Sequence, residues 1–208
     1  MKVRVLASAV LALGLAAGLT ACGDDDGGKK AASGPMSDHP MSGEPMKDGG
    51  MTHPFGPACA AVPASGMGSF DGMAADPVAT AASHNPALST LVSAVKKAGL
   101  VDTLNSADGI TVFAPTNDAF AKIPKMKLEE TLADKKKLTA LLTYHVVKGR
   151  QDPKALEHGT LTSLQGGTVT TTGMGTSYKV DGAANVVCGN VATKNATVYI
   201  IDSVLMPK

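Results

Sequence analysis

Thr111-Val112-Phe113-Ala114-Pro115-Thr116-Asn117-Asp118-Ala119-Phe120 is the stretch that decides the fold. With Ile110 ahead of it, the first half is a short β-branched and aromatic run, the composition of a buried strand. Pro115 has no N–H to give a sheet ladder and ends the strand. Thr116 then offers its hydroxyl to the open N–H groups of a helix, which stays brief because Pro124 follows. Val112 and Phe113 supply strand bulk, and Phe120 closes over the core from the helix.

Working outward, Asn85-Pro86 with Leu88, Leu91, Val92 and Val95 gives a cap, a proline at the first helical position and an apolar stripe at i, i+3, i+4, i+7. Gly99 stops that helix. Asp134 caps a second one, whose apolar face is Leu138, Leu141, Leu142 and His145. After Val146-Val147 the apolar period becomes two. Thr168 to Thr172, Tyr178 to Val180, Val186 to Cys188 and Thr197 to Leu205 read as strands separated by Gly-rich turns. Helices first and strands late predict an α+β fold rather than a βαβ parallel sheet. The folded domain is expected over residues 58–208, a comfortable single-domain length.

The amino terminus has a different grammar. Lys2 and Arg4 precede an uncharged run from Val5 to Gly18, and Leu19-Thr20-Ala21-Cys22 closes it. A basic start, a short apolar stretch and a small-residue cleavage site form a secretory signal, too short to span a bilayer. Leu19-Thr20-Ala21-Cys22 resembles a bacterial lipobox, which implies a signal peptide over residues 1–21 and a diacylglyceryl anchor on Cys22. The expected location is the extracytoplasmic face of the cell membrane, held by lipid. Residues 22–57 are rich in Met, Pro and Gly with a single Phe, too little apolar surface to fold, and are expected to form a disordered tether.

Within that tether Met36, Met41, Met46 and Met51 recur every five residues. With His39 and His53 they are suitable soft ligands for a copper-like ion; the other reading is a low-complexity spacer grown by duplication. With Cys22 assigned to lipid, Cys59 and Cys188 remain as an even pair in an oxidising compartment, and a disulfide is the default. Two free thiols or half a metal site are the rivals, although no CxxC spacing or nearby His supports a metal.

Removing residues 1–21 leaves 17 basic against 18 acidic side chains, so nucleic acid is not an implied partner. Aromatic content of 3% with no Trp leaves the core to Val, Leu, Ile and Ala, and argues against sugar- or base-stacking platforms. There is no GxSxG elbow. Gly173-Met174-Gly175 lacks the helix that a dinucleotide fingerprint requires. His39, His53, His84, His145 and His158 show no HExxH or other ligand spacing. No enzyme and no cofactor are expected.

Three motifs in order resemble fasciclin-type domains: Thr111 to Phe120, Tyr144-His145, and Val198-Tyr199-Ile200-Ile201-Asp202-Ser203-Val204-Leu205, within a region of about 74–206. Cys59, Cys188, the Asp76-Pro77-Val78-Ala79 start and the Asp202 to Pro207 ending look like the mycobacterial immunogenic branch, which includes a surface lipoprotein. The resemblance implies two β-sheets forming a wedge with flanking helices, and a role in adhesion or surface recognition. By analogy with vertebrate relatives, it marks Leu141, Leu142, Tyr144 and His145 as a ligand-contact region; the residues themselves give the other reading, since a lone His on an apolar helix face is usually a satisfied core group. The expected function is therefore a monomeric head on a lipid anchor that binds an extracellular, matrix or host-surface protein. Metal binding by the tether, or recruitment of another envelope protein, are the alternatives.

Overall fold

The computed structural model describes residues 53–207. The expectations for Cys22, Met36, His39, Met41, Met46 and Met51 lie outside them. The described residues are α+β, as the order of patterns implies. Four helices come first: α1 (Phe70–Ala75), α2 (Val78–Ser83), α3 (Ser89–Ala98) and α4 (Val101–Ser106). Strand β1 (Ile110–Pro115) leads through Thr116 into α5 (Asn117–Ala121), followed by α6 (Lys125–Ala133) and α7 (Lys135–Tyr144). Six strands complete the chain: β2 (Val146–Lys148), β3 (His158–Thr162), β4 (Thr168–Met174), β5 (Ser177–Val180), β6 (Ala184–Ala192) and β7 (Ala196–Ile201).

The strands form one ribbon in the order β2-β1-β7-β6-β5-β4-β3. β6 is long enough to serve two sheets, pairing with β7 over one part and with β5 over another. The ribbon folds over on itself, and its end strands meet through a bridge between Val147 and Ser163. This is the wedge of two sheets. At its centre β1 and β7 run parallel, Val112 beside Val198 and Phe113 beside Tyr199. Every residue of both strands is buried, which is why they read as unbroken apolar runs and not as an alternation.

Alternate residues of these two strands feed different cores. Ile110, Val112, Ala114, Ala196, Val198 and Ile200 face the helices. Phe113, Tyr199 and Ile201 face the inside of the wedge. Thr111, the polar member of β1, is buried with both hydrogen-bonding roles filled: its hydroxyl donates to the Gly149 carbonyl and accepts from the Gln151 N–H.

Three boundaries differ from the sequence reading. The folded region begins no later than Phe55, which the reading gave to the tether. Phe55 is buried in the wedge, and its N–H and carbonyl both pair with Gly189. A Cβ at position 189 would run into the Phe55 ring, so only glycine fits there. The last strand ends at Ile201 instead of Leu205, because Asp202 turns back to bond Asn185. The regular part of α3 begins at Ser89. Asn85 and Pro86 instead open a short 3₁₀ turn, in which the Asn85 side chain accepts from the Ala87 N–H.

Candidate functional site

The tyrosine–histidine pair is built by α7. Asp134 caps that helix, one carboxylate oxygen accepting from the N–H groups of Lys136 and Lys137. The helix axis then points Tyr144 and His145 into the junction between helices and wedge. The Leu205 N–H donates to His145 Nε2 at 2.9 Å, so the ring proton sits on Nδ1 and is donated to the Leu141 carbonyl, also at 2.9 Å. Burial pushes the imidazole pKa down to about 4, and the Leu141 bond only partly offsets this. The ring is thus neutral and clamps the C-terminal segment onto α7. Tyr144 Oη lies 2.9 Å from both the Thr168 carbonyl and the Asp181 carboxylate; burial, then Asp181, raises its pKa to about 12.

Leu141, Leu142, Tyr144 and His145 are 5%, 4%, 1% and 2% exposed. The expectation of a contact surface at these four positions therefore needs correcting. Their side chains are spent on packing and on two internal hydrogen-bond systems, and none is presented to a partner.

The other two motifs are framework as well. The Thr116 hydroxyl accepts from the Ala119 N–H. Asn117 reaches across to the start of α3, accepting from the Thr90 N–H and donating to the Pro86 carbonyl. The Asp202 carboxylate accepts from the Asn185 N–H and side-chain amide and lies 3.5 Å from Lys122. Desolvation opposes its charge, but the Asn185 bonds, the Ser203 hydroxyl and Lys122 together outweigh it and hold the carboxyl below its ordinary value.

Cys59 and Cys188 form a disulfide, with Cα atoms 5.0 Å apart. A β-bulge brings them together. Val186 pairs with Ile201 and Cys188 with Ile200, so β6 carries one residue too many for its partner. That extra residue turns Cys188 from the wedge interior, where Val186 lies, to the helix side where Cys59 waits.

Two anchoring residues escaped the sequence reading. Asn195 accepts from the Val78 N–H at 2.8 Å and donates to the Leu104 carbonyl at 2.7 Å, tying α2 and α4 to the β6–β7 turn. It heads a formal glycosylation sequon but is only 7% exposed. Arg150 bonds the carbonyls of Thr193, Lys194 and Ala196 in the same turn. Neither shows a periodicity that could have flagged it.

Two features remain that face something other than protein. The first is the outer face of β3, β4 and β5, where His158, Thr160, Thr162, Thr168, Thr170, Thr172 and Lys179 are all exposed. Thr160 stands beside Thr170, Thr162 beside Thr168, and Thr172 between His158 and Lys179. Threonine at every second position was a visible signal. The second is an apolar cavity of about 260 Å³ between the helices and the helix-facing side of β1 and β7, lined among others by Val78, Ala81, Leu91, Val95, Val198 and Ile200.

Among the described residues no group of three or more His, Cys, Asp or Glu could hold a metal, and no helix is long and apolar enough to cross a membrane. His53, from the tether set, is exposed, and its carbonyl accepts from Asn190.

The class that this geometry defines is a disulfide-stapled α+β head whose sequence motifs are its internal joints. The fasciclin domain family model matches residues 86–207, and the chain belongs to that family. It is 52% identical over 160 residues to the immunogenic protein MPB70 of Mycobacterium bovis, covering 73% of this chain and 81% of that one. It is 50% identical over 148 residues to the cell surface glycolipoprotein MPB83 of the same species, covering 69% and 66%. Among solved structures it aligns with a FAS1 domain pair from the insect cell adhesion molecule fasciclin I, with TM-score 0.48 and 23% identity, over 57% of this chain and 45% of that one.

Proposed function

We propose that this protein is a lipid-anchored recognition module on the outer face of a bacterial cell membrane, whose head binds an extracellular, matrix or host-surface protein. Cys22 carries the diacylglyceryl anchor in this reading. The observation that carries it is the outer face of β3–β4–β5. Seven polar side chains, five of them threonines, stand in register on a paired sheet, with the Asp181 carboxylate accepting from the Thr170 hydroxyl. Paired strands hold the threonines at fixed spacing, so little ordering entropy is lost when a partner docks. The family membership and the cell-surface relatives support the same reading.

The mature chain from Cys22 onward should bind host cells or matrix-coated surfaces saturably. Thr160→Lys combined with Thr170→Lys places two cations side by side on this face and should weaken binding at least tenfold, on the order of what one lost interface anchor costs. Thermal stability should stay close to that of the parent. Binding no better than that of an unrelated lipoprotein would end the proposal. Intact mass of the membrane-extracted protein tests the anchor separately.

A further inference from the structure

We propose that the cavity between the helices and the β1–β7 strands is a binding site for a single-chain fatty acid, tail inward and carboxylate at Lys96. This stands independently of the recognition role above, which uses the opposite part of the molecule.

The lining is almost entirely aliphatic, from Ala, Val, Leu and Ile of α2, α3, α4, β1 and β7. Apart from Thr103 and Lys96, which are both exposed, the polar groups that reach it have hydrogen-bond partners. Ser83, Thr143 and Thr193 donate to backbone carbonyls, Asn85 accepts from Ala87, and Thr80 accepts from Asn105. His145 presents only its ring, since both nitrogens are bonded. A buried water needs two to four polar partners, and an apolar cavity without them stays dry and takes apolar guests. Native interiors tolerate few voids larger than a water molecule. A dry space of this size is accordingly better explained as a site for a guest than as loose packing.

Size fixes the guest. A cavity of about 150 Å³ holds benzene, so by proportion 260 Å³ accommodates roughly ten carbon atoms. The lining has the polarity of a hydrocarbon chain, and its rim has one charge. Lys96 is the single charged residue among those lining the cavity; it is exposed and forms no ion pair among the described residues. One cation at the mouth of an aliphatic cavity complements a carboxylate on an alkyl chain. It also distinguishes a fatty acid from an uncharged alkane or alcohol.

The test is calorimetric titration of the mature chain with decanoate and, separately, with 1-decanol. Both should bind saturably, one per chain. Lys96→Ala should weaken decanoate about threefold, the scale of an exposed ion pair, and leave decanol unchanged. Ala81→Leu, which fills the space from α2, should weaken both ligands at least tenfold. Absence of saturable binding to the parent protein overturns the proposal. So does full affinity in a folded Ala81→Leu variant, or an equal response of the two ligands to Lys96→Ala. Because Lys96 is on the surface, that last comparison holds even if the leucine variant fails to fold.

Discussion

The two cores on either side of β1 and β7 are made differently. The core inside the wedge holds Phe55, Phe113, Tyr144, Tyr178 and Tyr199, with Phe55 centred 5.4 Å from Tyr178 and Phe113 centred 5.9 Å from Tyr199. The helix-side core has Phe120 as its one fully buried aromatic and is otherwise aliphatic, with alanines at 81, 94, 98, 114 and 196. A chain with seven Phe and Tyr and no Trp has thus placed most of its large rings where strand faces strand. Rings fill the space between sheets, where backbones are held about 10 Å apart. Small residues let helices approach the sheet, but their short side chains leave the cavity. The side built to be rigid and the side built with room are the two faces of the same pair of strands.

The comparison has a convenient readout. All three tyrosines lie in the wedge core, so tyrosine near-ultraviolet signals report that side, whereas far-ultraviolet helix signals report the other. The largest effect expected is loss of the Cys59–Cys188 bridge, which closes a sequence separation of 129 residues. On the chain-entropy model, replacing both cysteines by serine costs about 5 kcal/mol. Because that effect acts through the unfolded chain, both signals should melt together at a lower temperature. Separate transitions would mean that the two cores are independent units.

Next come paired truncations. Leu156→Ala, in the tightly filled wedge, should cost about 4 kcal/mol, and Leu91→Ala, on the wall of the cavity, about 2 kcal/mol. Denaturant unfolding of the two variants checks the order. Equal costs would show the helix side to be as densely packed as the other.

A further effect, between those of the two truncations, comes from pH. His145 sits between the two sides, and burial holds its pKa near 4 against an ordinary 6.5. The unfolded chain takes up a proton that the folded one refuses. The stability involved is fully present above pH 6.5 and is lost as pH falls toward 4, a total of roughly 3 kcal/mol. Unfolding free energies measured from pH 7 to pH 4 should show this slope, and His145→Gln should flatten it in that range. An unchanged slope in the variant would assign the acid sensitivity to other groups.

How much could be read in advance follows from what each residue type reveals alone. The strand–proline–threonine–helix pivot at 110–121 was legible because Pro115 and Thr116 act locally, through a missing donor and a cap. Gly99 ended α3 for an equally local reason, a left-handed φ of 74°. Helix α6 was not legible: it buries none of its residues fully, and its charges are spread around it, so no periodic stripe marks it. α1 and α2 hid in an Ala- and Gly-rich stretch in which size, not hydrophobic contrast, fits them to the sheet.

The sequence by itself determined the fold class, the family and the two-residue period of β4, because these rest on caps, turns and periods that a few neighbouring residues impose. Only the tertiary structure decided which groups Tyr144 and His145 clamp, that a bulge in β6 turns Cys188 toward Cys59, that Asn195 is a joint and that Phe55 belongs to the wedge. Each of those depends on which distant backbone group occupies the space beside a side chain, and no local pattern encodes that.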